Sequence, residues 1–418
     1  MELSQFGEKL TSKTGILQLM DDLGKAMSGK EKMYMLGGGN PAHITQMEEL
    51  FRKRMQEILD NKDEFERMVG NYTTSQGDID FIHAVVAFFK KTYGWNITTK
   101  NVCALTGGQT TFFFLFNMLA GKFSDGSSKK ILFPLVPEYI GYADQGITDD
   151  IFTANKPIIK IIDEHTFKYF IDFESLKITK DIAAICVSRP TNPTGNVVTD
   201  EEVHKLLDLA KKHKIPLMID NAYGAPFPGI IFTKTNPILD DNIIYVVSLS
   251  KLGLPSVRTS IVIAKEEIIK HLTSINAIVN LTATTIGQHI VTPLLQSGEI
   301  TKLSQTVIKP FYQRKSNEAI AYLQKHMNQS NPYYIHKSEG ALFLWLWLKD
   351  LPIKSMELYE RLKKRKVLVV PGNYFYPGFR GKWKHRDECV RITYSQREED
   401  VKAGLKIIAE TINEAYNK

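Results

Sequence analysis

Cysteine is scarce in this chain: three residues in 418, at Cys103, Cys186 and Cys389. They stand far apart and form no CxxC pair, which argues against a zinc knuckle or a dithiol redox motif. Cys103 and Cys186 lie inside apolar runs, where buried reduced thiols are expected. His385, Glu388 and Cys389 offer metal-ligand types at close spacing but lack a second half, so no metal site is expected. Long apolar runs are missing too. The richest stretch, from Phe112 to Ala120, is about half of the roughly 18 to 20 residues that a membrane span needs. The opening MELSQFGEKL is charged where a signal peptide would be apolar, so a cytoplasmic chain with no membrane association is expected. Neither an internal repeat nor a low-complexity segment occurs. The net charge of +7 is mild, and basic residues are spread out rather than clustered with aromatics. That distribution speaks against a nucleic-acid partner and suits anionic small molecules.

What is present is an ordinary globular composition, 43% hydrophobic and 24% charged. The length exceeds one hydrophobic core, so a large and a small domain are expected. Short apolar runs read as buried parallel strands: Ile131-Leu-Phe, Ile158-Ile-Lys-Ile-Ile, Ala183-Ala-Ile-Cys-Val, Pro216-Leu-Met-Ile and Ile243-Ile-Tyr-Val-Val. Between them, Glu201 to His213 carries a helical stripe. Thr199 and Glu202 have capping-box spacing at its start, and Lys211 to His213 suit its end. The alternation predicts a doubly wound, mainly parallel α/β domain over 50–295. Residues 1–49 and 296–418 would form a smaller α+β domain, with a long helix bent at Pro310 and a dense strand at Ala341 to Trp347. The Phe112, Phe113, Phe114 and Phe116 run reads as core packing.

Chemistry concentrates in an ordered series: Gly107-Gly-Gln, Pro137-Glu-Tyr139, Asn192-Pro-Thr-Gly195, Asp220-Asn-Ala-Tyr223, Ser248-Leu-Ser-Lys251 with Arg258, and Arg391. Most of these follow a predicted strand, and in open α/β sheets the carboxyl ends of strands line the binding crevice. Each member has an ordinary alternative. Lys251 alone reads as a solvated lysine, Asp220 as a helix cap and Asn192-Pro-Thr-Gly195 as a turn. Tyr139 could be a core or rim tyrosine, and Arg391 half of a surface ion pair.

Taken together, the order and spacing resemble the fold type I pyridoxal-5′-phosphate (PLP) dependent aminotransferases, from Gly37-Gly-Gly-Asn-Pro41 to Arg391. The runs Phe133-Pro-Leu-Val-Pro-Glu-Tyr-Ile-Gly-Tyr and Ser188-Arg-Pro-Thr-Asn-Pro-Thr-Gly-Asn resemble the branch that exchanges amino groups between valine and pyruvate. The resemblance implies Lys251 as the Schiff-base lysine that also moves the substrate proton. It implies Asp220 as the partner of the pyridine nitrogen, with Tyr223 and Asn192 at the cofactor phenolate. Gly108 and Gln109 at a helix start, Ser248, Ser250 and Arg258 would hold the phosphate, and Tyr139 would stack on the ring. Many relatives carry serine where Gly108 stands, so one hydroxyl contact is expected to be missing. Arg391 and the backbone at Gly38 and Gly39 would grip a substrate carboxylate. Tyr72 would reach the phosphate in a neighbouring subunit, which implies a homodimer with composite sites. The partners implied are an amino acid and a 2-oxo acid. The same lysine and aspartate also serve β-lyases, so that reaction stays open. A PLP-sensing regulator would need a DNA-binding domain ahead of a cofactor region that already begins almost at Met1. The side-chain pocket is not legible, although the region of Phe6 and Ile16 could contribute.

Overall fold

The main strands, in chain order, are β1 (Val102–Leu105), β2 (Ser128–Phe133), β3 (Phe152–Ala154), β4 (Ile158–Ile161), β5 (Thr166–Phe170) and β6 (Ile182–Ser188). They continue with β7 (Leu217–Asp220), β8 (Ile243–Ser248), β9 (Ser260–Ile263), β10 (Tyr333–His336), β11 (Phe343–Leu348), β12 (Val370–Pro371) and β13 (Cys389–Thr393). The computed structural model describes residues 1–12, 15, 17, 21, 24 and 32–417. Ile16 therefore lies outside the described residues, and Phe6 is half exposed on a short N-terminal helix.

The larger sheet runs β1-β9-β8-β7-β6-β2, and β3 adds to β2. Its pairs β8–β7, β7–β6, β6–β2 and β2–β3 are parallel, and of the strands named in this sheet β9 runs antiparallel to both neighbours. All seven residues of β6 and all six of β8 are buried, which is why these runs are apolar on both faces. Helix α1 (Gly107–Leu119) follows β1 and packs on this sheet through Phe112, Phe114 and Phe116, all buried, as core. Helix α2 (Asp200–His213) is closed by the expected box: Thr199 accepts from the Glu202 amide, and the Glu202 carboxylate accepts from the Thr199 amide. Such caps contribute about 1 kcal/mol.

The second sheet runs β12-β13-β11-β10-β5-β4. It corrects one expectation. Ile158-Ile-Lys-Ile-Ile is not a buried parallel strand. It is an antiparallel edge strand with Ile158 and Ile161 about half exposed. An isoleucine run reports β-propensity, and burial does not follow from it. The β4–β5 hairpin also lies inside the range 50–295 yet pairs, through β5, with β10 of the C-terminal part. The sequence-based division at residue 295 does not anticipate this crossing. Pro310 does fall inside a long helix, as expected. It lies within a helical stretch that is unbroken over 299–326 and takes a π turn at Ser304–Ile308, just before the proline, which accommodates the missing N–H.

All three cysteines are buried and free. His385 Nε2 faces the Tyr169 hydroxyl and lies 3.5 Å from Cys389 Sγ. Glu388 points elsewhere, accepting from Trp347 Nε1 at 2.9 Å and from the Asp350 amide at 3.0 Å. No described helix is long and apolar enough to cross a membrane.

Candidate active site

Strand pairing gathers the predicted residues. Ser188 at the end of β6 pairs with Asp220 at the end of β7, Val246 near the end of β8 pairs with Asp220, and Ser248 pairs with Ser260 of β9. The carboxyl ends of three parallel strands thus deliver an acid and two hydroxyls to one rim. Beyond β8, a 3₁₀ turn at Ser250–Leu252 turns Lys251 inward. Its Nζ donates to the Gly39 carbonyl at 2.6 Å and stands 5.6 Å from the centre of the Tyr223 ring. Burial lowers its pKa to about 8, with Arg391 and Arg258 adding to the effect and Asp220 opposing it.

Asp220 accepts from the Ala222 amide at 2.9 Å and from the Tyr142 hydroxyl. Burial raises its pKa, against these donors and the Lys251 charge. Tyr139 caps the 3₁₀ turn Ile140–Tyr142 and Tyr142 ends it, and their i, i+3 spacing brings the two rings to 5.3 Å, centre to centre. Tyr142 is a site residue beyond those the sequence series marks. The sign was there, in a second tyrosine three residues after Tyr139. Glu138, inside the Pro137-Glu-Tyr139 run, takes its place only from the fold. It is fully buried and accepts from the Ser188 amide at 2.8 Å, the Ser188 hydroxyl at 2.7 Å and the Tyr139 amide at 3.1 Å. Burial pushes its pKa up to about 8 against those donors.

Two arginines face this space without a carboxylate partner among the described residues. Arg258 donates to Ser250 Oγ at 3.3 Å and to the Pro255 carbonyl at 3.2 Å. It holds φ at 47°, a conformation that costs a non-glycine residue about 1–3 kcal/mol and is found where surrounding structure imposes it. Gly107, at φ 81°, lies so close that a Cβ would overlap the Arg258 guanidinium, whereas Gly108 opens onto free space. Gln109 is exposed and donates to the Gly141 carbonyl at 3.0 Å. Arg391, on β13, is buried and sandwiched by Phe343 at 4.2 Å and Phe375 at 5.2 Å. It donates to Asn192 Oδ1 and to the Gly37 carbonyl, both at 2.7 Å, and its buried Nε has no acceptor. Burial lowers its pKa to about 10, so it stays charged at neutral pH. Tyr223 is buried beside Asn192 and stays protonated because burial pushes its phenol well up.

These groups fit pyridoxal phosphate. A dianion matches Arg258, Ser250 and the N-terminus of α1; a cationic pyridine nitrogen matches buried Asp220; an aldehyde matches the Lys251 amine; a second anion matches Arg391. A cleft of about 570 Å³, lined by Asn40, Pro41, Phe51, Lys251, Arg258 and Tyr312 among others, leads to the lysine. Tyr72 is not brought into this cluster and stands 84% exposed.

Comparison with known proteins agrees. The family model described as aminotransferase class I and II matches residues 31–408. Over 416 residues the chain is 46% identical to valine–pyruvate aminotransferase of Escherichia coli K12, covering 100% of this chain and 99% of that one. Its structure resembles a putative amino-acid aminotransferase from Psychrobacter arcticum, with a TM-score of 0.98, 44% identity and full coverage of both chains. It also resembles valine–pyruvate aminotransferase from Salmonella typhimurium LT2, with a TM-score of 0.89, 44% identity, and coverage of 97% and 100%. An aspartate aminotransferase from Thermus thermophilus, 18% identical with a TM-score of 0.79 over 98% of this chain and 100% of that one, shares the fold. The architecture is the expected fold type I, a large mainly parallel sheet beside a smaller α+β part.

Proposed function

The chain belongs to the class I and II aminotransferases, and from that premise we propose that it transfers the amino group of valine to pyruvate, in two half-reactions, as a homodimer with composite sites. The enzyme is a PLP-dependent transaminase; the substrate pair, the residue roles and the assembly are the proposal. The observation that carries it is a buried Arg391, without a carboxylate partner among the described residues, close enough to the Lys251 amine to help lower that amine's pKa to about 8. The two side chains hold the carbonyls of Gly37 and Gly39 on one segment. Full-length likeness to two valine–pyruvate aminotransferases supports the substrates. The products are then 3-methyl-2-oxobutanoate and alanine, an exchange that belongs in amino-acid biosynthesis.

Bound pyridoxal phosphate supplies an aldehyde carbon to take up the amino group and a ring to accept electron density from the substrate α-carbon. Arg391, with Asn192 and the backbone at Gly39, would bind the α-carboxylate in a bidentate fork. That grip turns the α-hydrogen of the amino acid, and in the second half-reaction the α-carbon of the oxo acid, toward Lys251. With a pKa of about 8, Nζ is available as a neutral amine and can take the α-proton and return it. Asp220, pinned by Tyr142, would keep a proton on the ring nitrogen. Tyr139 would cover one ring face, and Tyr223 and Asn192 would hydrogen-bond the ring oxygen. Gly108, Gln109, Ser248, Ser250 and Arg258 would hold the phosphate, with Tyr72 of a second copy.

An exposed apolar face supports the dimer. Val69, Tyr72, Ile79, Ile278, Val279 and Leu281 are all more than half exposed. Their two segments are tied together by Ser75 Oγ donating to the Leu281 carbonyl at 2.7 Å and Asn276 donating to the Ser75 carbonyl at 2.8 Å. Patches of this kind commonly mark interfaces. Buried, unpaired thiols suit a reducing cytoplasm. The deciding experiment is a donor screen with pyruvate as acceptor, comparing valine, leucine, aspartate and cystathionine. Valine should be preferred and give one alanine per 3-methyl-2-oxobutanoate. A preference for aspartate, or release of ammonia and pyruvate from cystathionine, would overturn it.

A further inference from the structure

Arg391 and Asn192 meet across two sheets: the arginine lies on β13 of the second sheet, and Asn192 lies on the loop after β6 of the first. Their relation depends on what holds that loop. Lys168 of β5 and Glu339, just after β10, are both buried and ion-paired. Lys168 Nζ also donates to Asn196 Oδ1 at 3.0 Å and to the Val197 carbonyl at 3.1 Å. Glu339 accepts from the Val197 amide at 3.1 Å and meets Lys337 at 3.2 Å on its outer side. Acid and base thus meet at Val197, one on its amide and the other on its carbonyl, and the lysine also holds Asn196.

The next residue, Gly340, completes the joint. Gly195 has φ 68°, and a Cβ there would lie 2.6 Å from the Gly340 carbonyl oxygen; a Cβ on Gly340 would lie 2.5 Å from the Ile230 carbonyl oxygen. Ala341 donates to that Ile230 oxygen at 3.0 Å, and Ile230 donates to the Tyr223 carbonyl at 2.8 Å. Residues 339–341 are therefore wedged between the loop that carries Asn192 and the segment that begins at Tyr223. A buried ion pair adds little net stability over apolar residues of similar volume, so stability alone is a weak reason for charges here.

We propose that Lys168 and Glu339 are positioning residues that set Asn192 against Arg391 and thereby define the substrate-carboxylate site. The inference rests on Arg391 being the carboxylate receptor. Two variants of the full-length holoenzyme test it: Glu339→Gln, and the paired apolar replacement Lys168→Met/Glu339→Leu, which leaves no buried charge unmatched should the single change impair folding. Melting temperature, KM and kcat for both substrates, and the affinity of the apoprotein for pyridoxal phosphate are measured. Both variants should raise KM for amino acid and oxo acid together, by about ten- to a hundredfold, since misplacement near 1 Å has effects of that order. Cofactor affinity should stay within a few-fold, and KM should remain high in the paired variant even where its melting temperature recovers. Wild-type KM in a stable paired variant, or cofactor affinity falling as much as KM rises, would overturn it. Arg391→Lys separates the premise: unchanged KM in that variant removes the carboxylate reading, whereas the effect of the pair is read from its own variants.

Discussion

At the scale of single residues, Lys251 matters most, and its environment sets a measurable sign. Removing a lysine from water and placing two arginines nearby disfavours its charged form, so the amine becomes neutral above pH about 8 instead of near 10.5. Uptake of pyridoxal phosphate by the apoprotein requires the neutral amine. Its rate should therefore rise through a midpoint near pH 8 and level off above it, as stopped-flow absorbance can follow. A rate still climbing at pH 10 would contradict the buried setting of Nζ. The residues proposed to carry the cofactor or hold an anion are legible because their types are rare in such company after apolar runs. Tyr142 and Glu138 are not. Each acts through another group, Asp220 in one case and Ser188 with the Tyr139 amide in the other, and such partnerships leave no periodic trace in a sequence.

At the scale of elements, two helix starts with opposite purposes give contrasting expectations. The box at Thr199 closes α2 and touches no site residue, so Thr199→Ala should lower stability by about 1 kcal/mol in denaturant titration and leave cofactor affinity alone. The start of α1 is built to admit an arginine. Gly107→Ala would strain a φ of 81° and push into the Arg258 guanidinium, so the apoprotein should bind pyridoxal phosphate more weakly in equilibrium dialysis, by about tenfold or more. Equal affinity for the variant and the parent would show that Arg258 does not depend on this contact. The elements themselves were mostly readable where burial and propensity agree, as in β6, β7, β8 and α2. The β4–β5 hairpin was misread because isoleucines that favour an extended backbone look the same on an edge as in a centre. The Lys168–Glu339 pair spans 171 residues of sequence, a separation at which no local pattern operates.

At the scale of the whole molecule, the apolar face around Tyr72 and Leu281 should bury itself against a second copy. If the proposed dimer forms through this face, Ile278→Asp/Leu281→Asp should lower the sedimentation coefficient to that of a monomer and weaken cofactor retention, since the proposed role of Tyr72 needs a second copy. A double variant that sediments like the parent would place the contact elsewhere. The hairpin that leaves the first sheet for the second has a consequence for how the chain comes into being. During synthesis β4 and β5 emerge well before β10, the strand that β5 pairs with, and β13 closes the sheet later still. Until then the ribosome exposes a greasy, half-paired ribbon, which is a hazard for premature association. Neither half of this polypeptide should survive as an independently expressed fragment, and completion should come in one late, cooperative step near the end of translation.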